Sequence, residues 1–214
     1  MKSEGYFLVK NGDSSSAFEL REFELKSPGT NDVVIEVEAF GLNFADVMAR
    51  RGLYRDAPPK PCLIGYEVVG KVIEVGKDGN QDLLNKRVVA FTRFGGYAKH
   101  VVTWDYAAVP VGDQPAGELM ALATQGVTAY YMSMYLTPIH KDDKVLVHAA
   151  AGGVGTLLVQ LAKIKGATVY AKVGSKDKEK YVKGMKKAKG DFKKRYGKDA
   201  EAVMYATATK MAKK

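Results

Sequence analysis

Lys144-Val-Leu-Val-His-Ala-Ala-Ala-Gly-Gly-Val-Gly-Thr-Leu-Leu-Val-Gln-Leu-Ala-Lys163 reads as a buried strand that runs through a small-residue turn into a helix. Val145, Leu146 and Val147 form the short apolar run of a central parallel strand. Ala149, Gly152 and Gly155 follow at three-residue spacing, and Leu157, Leu158, Leu161 and Ala162 give the next stretch a helical apolar face. Small residues let the backbone come close to a phosphate, and the helix that opens there aims unsatisfied N–H groups and its positive dipole end at it. The spacing A-x-x-G-x-x-G is a variant of the G-x-G-x-x-G dinucleotide fingerprint, so Ala149, Gly152, Gly153, Val154 and Gly155 are the expected pyrophosphate contacts.

A second strand, Ala167-Thr-Val-Tyr-Ala-Lys-Val173, follows after a helix of suitable length and the turn residues Lys165-Gly166. Its far end is where a dinucleotide fold reads the adenosine ribose. Selection of NAD needs an acid there to accept from the ribose 2′-OH, but the chain offers Gly174, Ser175, Lys176, Asp177 and Lys178. A hydroxyl and two ammonium groups suit a 2′-phosphate, so the expected cofactor is NADPH, held in part by Ser175 and Lys176. Ser175 has a second reading as the cap of the next helix, with Lys176 and Lys178 on its solvated face; the two are compatible.

The chain has 214 residues, 46% of them hydrophobic, enough for one large domain or two small ones and unlike a disordered segment. Cys62 is its only cysteine, which rules out an internal disulfide and a cysteine-based zinc cluster and fits a reducing cytoplasm. Met1-Lys-Ser-Glu-Gly-Tyr lacks the pattern of a signal peptide. The longest apolar stretch, Val145 to Ala162, carries His148, Gln160 and a Gly-Gly turn, so no membrane span is expected. The net charge of +9 is unevenly spread: residues 1–170 carry 18 basic and 19 acidic side chains, residues 171–214 carry 15 and 5. Basicity belongs to the tail, and without a basic footprint on the body no specific nucleic-acid partner is expected.

Upstream, residues 1–110 read as β-rich, with strand candidates at Tyr6–Lys10, Ala17–Leu25, Val33–Ala39, Glu67–Val75, Lys86–Phe91 and Tyr97–Thr103. In the third, Val33, Ile35, Val37 and Ala39 face one way while Val34, Glu36 and Glu38 face the other, as in a sheet packed on one side. Helices are expected over Phe44–Arg51, from Asp113 onward, and over Thr124–Leu136. The fold class is therefore α/β: a β-rich domain over 1–120, a partial βαβ domain over 121–183, and a Lys-rich helical tail over 184–214, read as a solvated surface.

Four segments in order carry a family resemblance: Gly41-Leu-Asn-Phe-Ala-Asp-Val-Met-Ala-Arg-Arg-Gly-Leu-Tyr54, Pro61-Cys-Leu-Ile-Gly-Tyr-Glu-Val-Val-Gly-Lys-Val-Ile-Glu-Val-Gly76, Gln125-Gly-Val-Thr-Ala-Tyr-Tyr131 and His148-Ala-Ala-Ala-Gly-Gly-Val-Gly155. Through them the chain resembles the quinone oxidoreductase branch of the medium-chain dehydrogenase/reductase superfamily, which includes zeta-crystallin and the vesicle amine transport protein homologues. The resemblance implies a GroES-like catalytic domain, a Rossmann domain, and NADPH in the cleft between them. It implies Asn43 and Thr128 near the nicotinamide and its ribose, and Tyr54 beside the substrate, hydrogen-bonded to the oxygen being reduced; Asn43 and Tyr54 are the expected catalytic residues. In zinc alcohol dehydrogenases of the superfamily a ligand cysteine takes the place of Asn43 and a ligand histidine that of Tyr66, so no metal site is expected here. Without a Lewis acid, the implied substrate is a small-molecule quinone or electron-poor enone, which accepts hydride from NADPH readily. Other readings stay open: Asn43 as a partner of loop backbone, Asp46 as a helix cap, Tyr54 packed beside Pro58 and Pro59, Glu67 as structural, and His148 as a satisfied interior side chain.

A doubly wound nucleotide fold has about six parallel strands, and the sequence supplies the first two. The family's later strands, its return to the catalytic domain and its dimer-forming sheet edge are not expected from these residues. Two function classes follow, a zinc-independent NADPH-dependent reductase impaired by truncation, or a non-catalytic module whose basic tail associates with an acidic partner.

Overall fold

The computed structural model describes residues 1–184; the expected basic tail lies, beyond Gly184, outside the described residues. The chain divides into two units, Met1–Thr124 and the part from Gln125 onward. The first runs β1 (Lys2–Leu8), α1 (Ser14–Ala17), β2 (Phe18–Glu24), β3 (Asp32–Phe40), α2 (Phe44–Arg50), β4 (Cys62–Leu63), β5 (Glu67–Val75), β6 (Arg87–Phe91), β7 (His100–Trp104), β8 (Ala108–Pro110) and α3 (Ala116–Leu122). Its main sheet is antiparallel with order β7-β3-β5-β6-β8, and a smaller antiparallel sheet has order β2-β1-β4.

Period-two alternation divides the apolar residues of the main sheet between two cores. Val33, Ile35, Val68, Val72, Val88, Ala90 and Val101 cluster on one face. Val69 and Val89, one residue out of phase, point the other way and meet Leu119, Met120 and Ala123 of α3 and the residue after it. Each valine withdrawn from water contributes on the order of 2 kcal/mol. This second core corrects the one-sided sheet expected from β3: Val34, expected on the polar face with Glu36 and Glu38, is 1% exposed. The β3–β5 register shifts between Val34 and Ile35, which breaks the alternation at that point, while α3 packs elsewhere on β3 and β5. Farther along the same face Glu38 receives both Nε and Nη2 of Arg87, at 2.7 and 3.0 Å, while Nη1 donates to the carbonyls of Gly112 and Gln114. One guanidinium thus ties β3, β6 and the segment leading to α3, and it holds the Glu38 carboxyl below its ordinary pKa.

The strand β1 starts four residues earlier than its apolar pattern suggested. Its buried positions there are Ser3 and Gly5, which carry no hydrophobic signal. Gly5 lies against the Tyr97 carbonyl and Ala98, where any Cβ would collide. Tyr97 and Ala98, expected within the last strand, serve β1 instead: Tyr6 N–H donates to the Tyr97 carbonyl at 2.8 Å, and β7 begins only at His100.

Helix α4 (Thr124–Tyr131) starts on the last residue of the first unit; from Gln125 the second unit carries the rest of it, a π-helical turn (Met132–Leu136), then β9 (Lys144–Val147), α5 (Gly153–Ile164), β10 (Thr168–Ala171) and α6 (Glu179–Gly184). Strands β9 and β10 are parallel, Lys144 opposite Thr168 and Val147 opposite Ala171. Val147, Ala150 and Val159 form the core where α5 covers this pair. The strand expected to be buried, β9, is half open, with Leu146 59% exposed, and Tyr170 of β10 beside it is 54% exposed. Among the described residues β9 pairs with β10 alone, and α5 covers one face, so residues of opposite phase keep their solvent. His148, expected inside, is exposed for the same reason. No helix among the described residues is long and apolar enough to cross a membrane.

Candidate functional site

The expected site residues fall into two groups, one in each unit. In the second unit the chain leaves β9 and turns at Ala149, whose φ of +48° is left-handed. Gly152 N–H closes the turn onto the Ala149 carbonyl at 2.8 Å, and Thr156 N–H, the first to find a helical acceptor, reaches the Gly152 carbonyl at 2.9 Å. Gly152 is the N-cap of α5, so the N–H groups of Gly153, Val154 and Gly155 form the first turn, where a helix has no acceptor of its own. Gly155 is buried against the turn, and a Cβ there would overlap the Ala149 carbonyl. Strand and helix therefore approach more closely than a side chain permits, which is the cradle a pyrophosphate needs. Thr128 stands on the exposed side of α4.

After β10, Gly174 has open space where a Cβ would stand, and Ser175 and Lys176 are exposed. Ser175 is the N-cap of a short 3-10 turn, Lys176–Lys178, and its hydroxyl holds the Asp177 carboxyl below the ordinary range. The cap reading of Ser175 is thereby realised in position, with the hydroxyl turned toward Asp177.

In the first unit Asn43 is the N-cap of α2, in extended conformation at φ −117° and ψ 153°. Asp46, three residues on, accepts the Asn43 backbone N–H at 2.8 Å, the acidic half of a capping box. The Asn43 side chain completes the box by facing the Asp46 backbone N–H, and it also reaches a carboxylate: its Nδ2 donates to Glu67 Oε1 at 2.9 Å. Glu67 Oε2 accepts the Thr124 backbone N–H, also at 2.9 Å. Glu67 is fully buried at the head of β5, and burial pushes its carboxyl up to about 7; the two hydrogen bonds oppose that rise and nearby Asp46 adds to it. Asp46, 5% exposed, is also raised by burial, against the pull of the Asn43 N–H, the Tyr97 hydroxyl and the Gly65 N–H. Tyr97 is raised in turn, by burial and then by Asp46.

Tyr54 is half-buried at the rim of the cluster of Leu8, Ala17, Ala49, Cys62, Ile64 and Tyr97. Its ring meets that of Tyr66 edge-on, 6.2 Å between centroids at 87°. Tyr66 also packs on Phe94, at 5.5 Å, and burial holds its phenol above the ordinary tyrosine range. Among the described residues no three His, Cys, Asp or Glu side chains gather as a metal-binding group. What sequence reasoning missed is the tie from Asn43 to Glu67, 24 positions apart. The nearest signal was Gly41, whose missing Cβ leaves room for the Glu67 carboxyl.

An antiparallel β module leading into strand, glycine turn, helix and parallel strand is the layout of an alcohol-dehydrogenase-like oxidoreductase. The chain belongs to the alcohol dehydrogenase GroES-like domain family, whose model matches residues 29–141, and falls with the quinone oxidoreductases of the medium-chain dehydrogenase/reductase superfamily. A probable quinone oxidoreductase of Schizosaccharomyces pombe is 35% identical over 165 residues, covering 76% of this chain and 50% of the relative. The human synaptic vesicle membrane protein VAT-1 homolog is 35% identical over 146 residues, covering 67% and 37%. The crystal structure of Escherichia coli quinone oxidoreductase complexed with NADPH superposes with a TM-score of 0.78 at 30% identity, over 85% of this chain and 56% of that one. The chain spans about half the length of the curated relatives it matches.

Proposed function

We propose that the protein is a zinc-independent, NADPH-dependent oxidoreductase that reduces a quinone or an electron-poor enone. The observation that carries this reading is the close approach of Gly155 to the Ala149 carbonyl beneath three first-turn N–H groups. In this reading Gly152, Gly153, Val154 and Gly155, with Ala149, hold the pyrophosphate, and Ser175 and Lys176 meet the 2′-phosphate. NADPH, when bound, supplies a hydride, which with one proton from solvent reduces a quinone to the hydroquinone. Asn43 and Thr128 orient the nicotinamide end, and the Tyr54 hydroxyl hydrogen-bonds the oxygen being reduced.

Donor chemistry supports zinc independence. At the two positions where zinc alcohol dehydrogenases carry ligands, Asn43 commits its amide to Glu67 and Tyr66 keeps its phenolic proton above the ordinary range. Neither is a normal zinc ligand. The domain assignments go with the function: residues 1–120 as the GroES-like catalytic domain and 121–183 as the NADPH-binding part. The experiment is oxidation of NADPH by the full chain with a simple quinone, followed by nicotinamide absorbance, alongside direct titration with NADPH and NADH. Saturable NADPH binding with quinone-dependent oxidation is expected. Absence of NADPH binding would overturn the proposal.

A further inference from the structure

Glu67 is an expensive residue to keep where it is. A fully buried carboxylate is tolerated when cations or many donors compensate it, yet both hydrogen-bond donors on Glu67 are neutral: the Asn43 amide and the Thr124 backbone N–H. An apolar side chain of similar volume would cost less in that place. The surrounding backbone also gives way to it, because Gly41, whose N–H donates to the Glu67 carbonyl at 3.1 Å, has no Cβ to strike the carboxyl. Only a carboxylate accepts on both oxygens at once; the amide of glutamine would turn its own N–H toward one of the two donors.

We infer that Glu67 is a positioning residue of the reductase site, fixing the Asn43 amide with one carboxylate oxygen and the Thr124 N–H with the other, and so setting how Asn43 is presented to the cofactor. The inference rests on the assignment of Asn43 to the cofactor site. Because an ionised carboxylate only accepts, Nδ2 must face Glu67, which leaves Oδ1 to the Asp46 N–H of the capping box. A protonated Glu67 can donate instead, which weakens its hold on Nδ2. The titratable groups facing Glu67 are Asp46, from α2, and Tyr97, from the segment before β7.

Two measurements on the full chain test this. In the first, NADPH dissociation constants are determined by fluorescence titration for wild type, Glu67→Gln, Asn43→Ala and the double variant. Glu67→Gln should weaken binding about tenfold, the scale of one charge-assisted hydrogen bond. It should add nothing further in the Asn43→Ala background, since it acts through Asn43. In the second, which needs no cofactor, the Asn43 side-chain amide is followed by NMR in asparagine-labelled protein from about pH 5 to about pH 9. It should shift with a midpoint near 7 in wild type and stay still in Glu67→Gln. Wild-type affinity in Glu67→Gln, or an additive effect in the double variant, overturns the inference while the reductase reading stands. If Glu67→Gln does not fold, the wild-type amide decides, and one that ignores pH overturns the inference. Failure of wild type to bind NADPH removes the reductase reading and the inference with it.

Discussion

Replacing Glu67 by glutamine should change how stability depends on pH. The carboxyl rises from 4.5 to about 7 on folding, which at about 1.4 kcal/mol per pH unit amounts to about 3 kcal/mol. A raised folded-state pKa means that the unfolded chain releases this proton first. The contribution to stability is therefore full below about pH 4.5 and is lost as pH rises through about 7. Glutamine does not titrate, so its effect on hydrogen bonding is a constant offset. Asp46, raised in the same direction, titrates in both proteins and largely cancels from their difference. Urea unfolding followed by Trp104 fluorescence is the assay, because that single tryptophan lies in the same unit as Glu67, stacked on Tyr106 at 5.6 Å. Wild-type stability minus that of Glu67→Gln should fall by about 3 kcal/mol between about pH 4.5 and about pH 8.5. A difference that stays flat across that range would refute the account of Glu67 as a desolvated acid.

Gly155→Ala drives a methyl into the Ala149 carbonyl and Ala150 backbone, which no rotamer change relieves; the second unit should lose about 1–3 kcal/mol, seen as a lower Tm, and NADPH affinity should drop. Lys176→Glu should move cofactor preference from NADPH toward NADH, and equal, unchanged affinities for the two would remove the assignment of Ser175 and Lys176. Arg87→Lys keeps the charge but loses the fork that grips Glu38 and two carbonyls, and should lower the urea midpoint by the equivalent of about 1–2 kcal/mol. Hydrogen exchange should be slowest in β3, β5 and β6, each paired on both sides, and much faster in β9 and β10; equal protection would contradict the burial of the main sheet.

The parts of the fold read correctly from sequence are those in which chemistry repeats along the chain. Glu67–Val75 was legible because β-branched side chains recur along it at Val68, Val69, Val72, Ile73 and Val75, and the β9–α5–β10 unit because small residues sit where strand passes into helix. Where burial is carried by residues without hydrophobic character the pattern is silent, as at Ser3 and Gly5 in β1. Alternation also cannot say what covers each face of a sheet: Val34 was read as solvated although it is buried, and Leu146 as buried although its side of β9 is open. At the site, the capping role of Asp46 follows from its three-residue spacing from Asn43, whereas the Asn43–Glu67 bond joins two polar side chains on different elements and has no period to betray it.

The bond from Thr124 to Glu67 bears on how this protein is dissected. Its donor is the last residue of the first unit, and Ala123, beside it, belongs to the core that α3 forms with Val69 and Val89. A fragment ending at residue 120 would form the same strands, yet it would lose Ala123 from that core and leave one Glu67 oxygen to whatever solvent reached it. The carboxyl of such a fragment would lack one of the two hydrogen bonds that oppose its rise, and measurements on it would describe an acid that the intact chain does not contain. A fragment meant to stand for the first unit has to include Thr124 and the peptide group that carries its N–H.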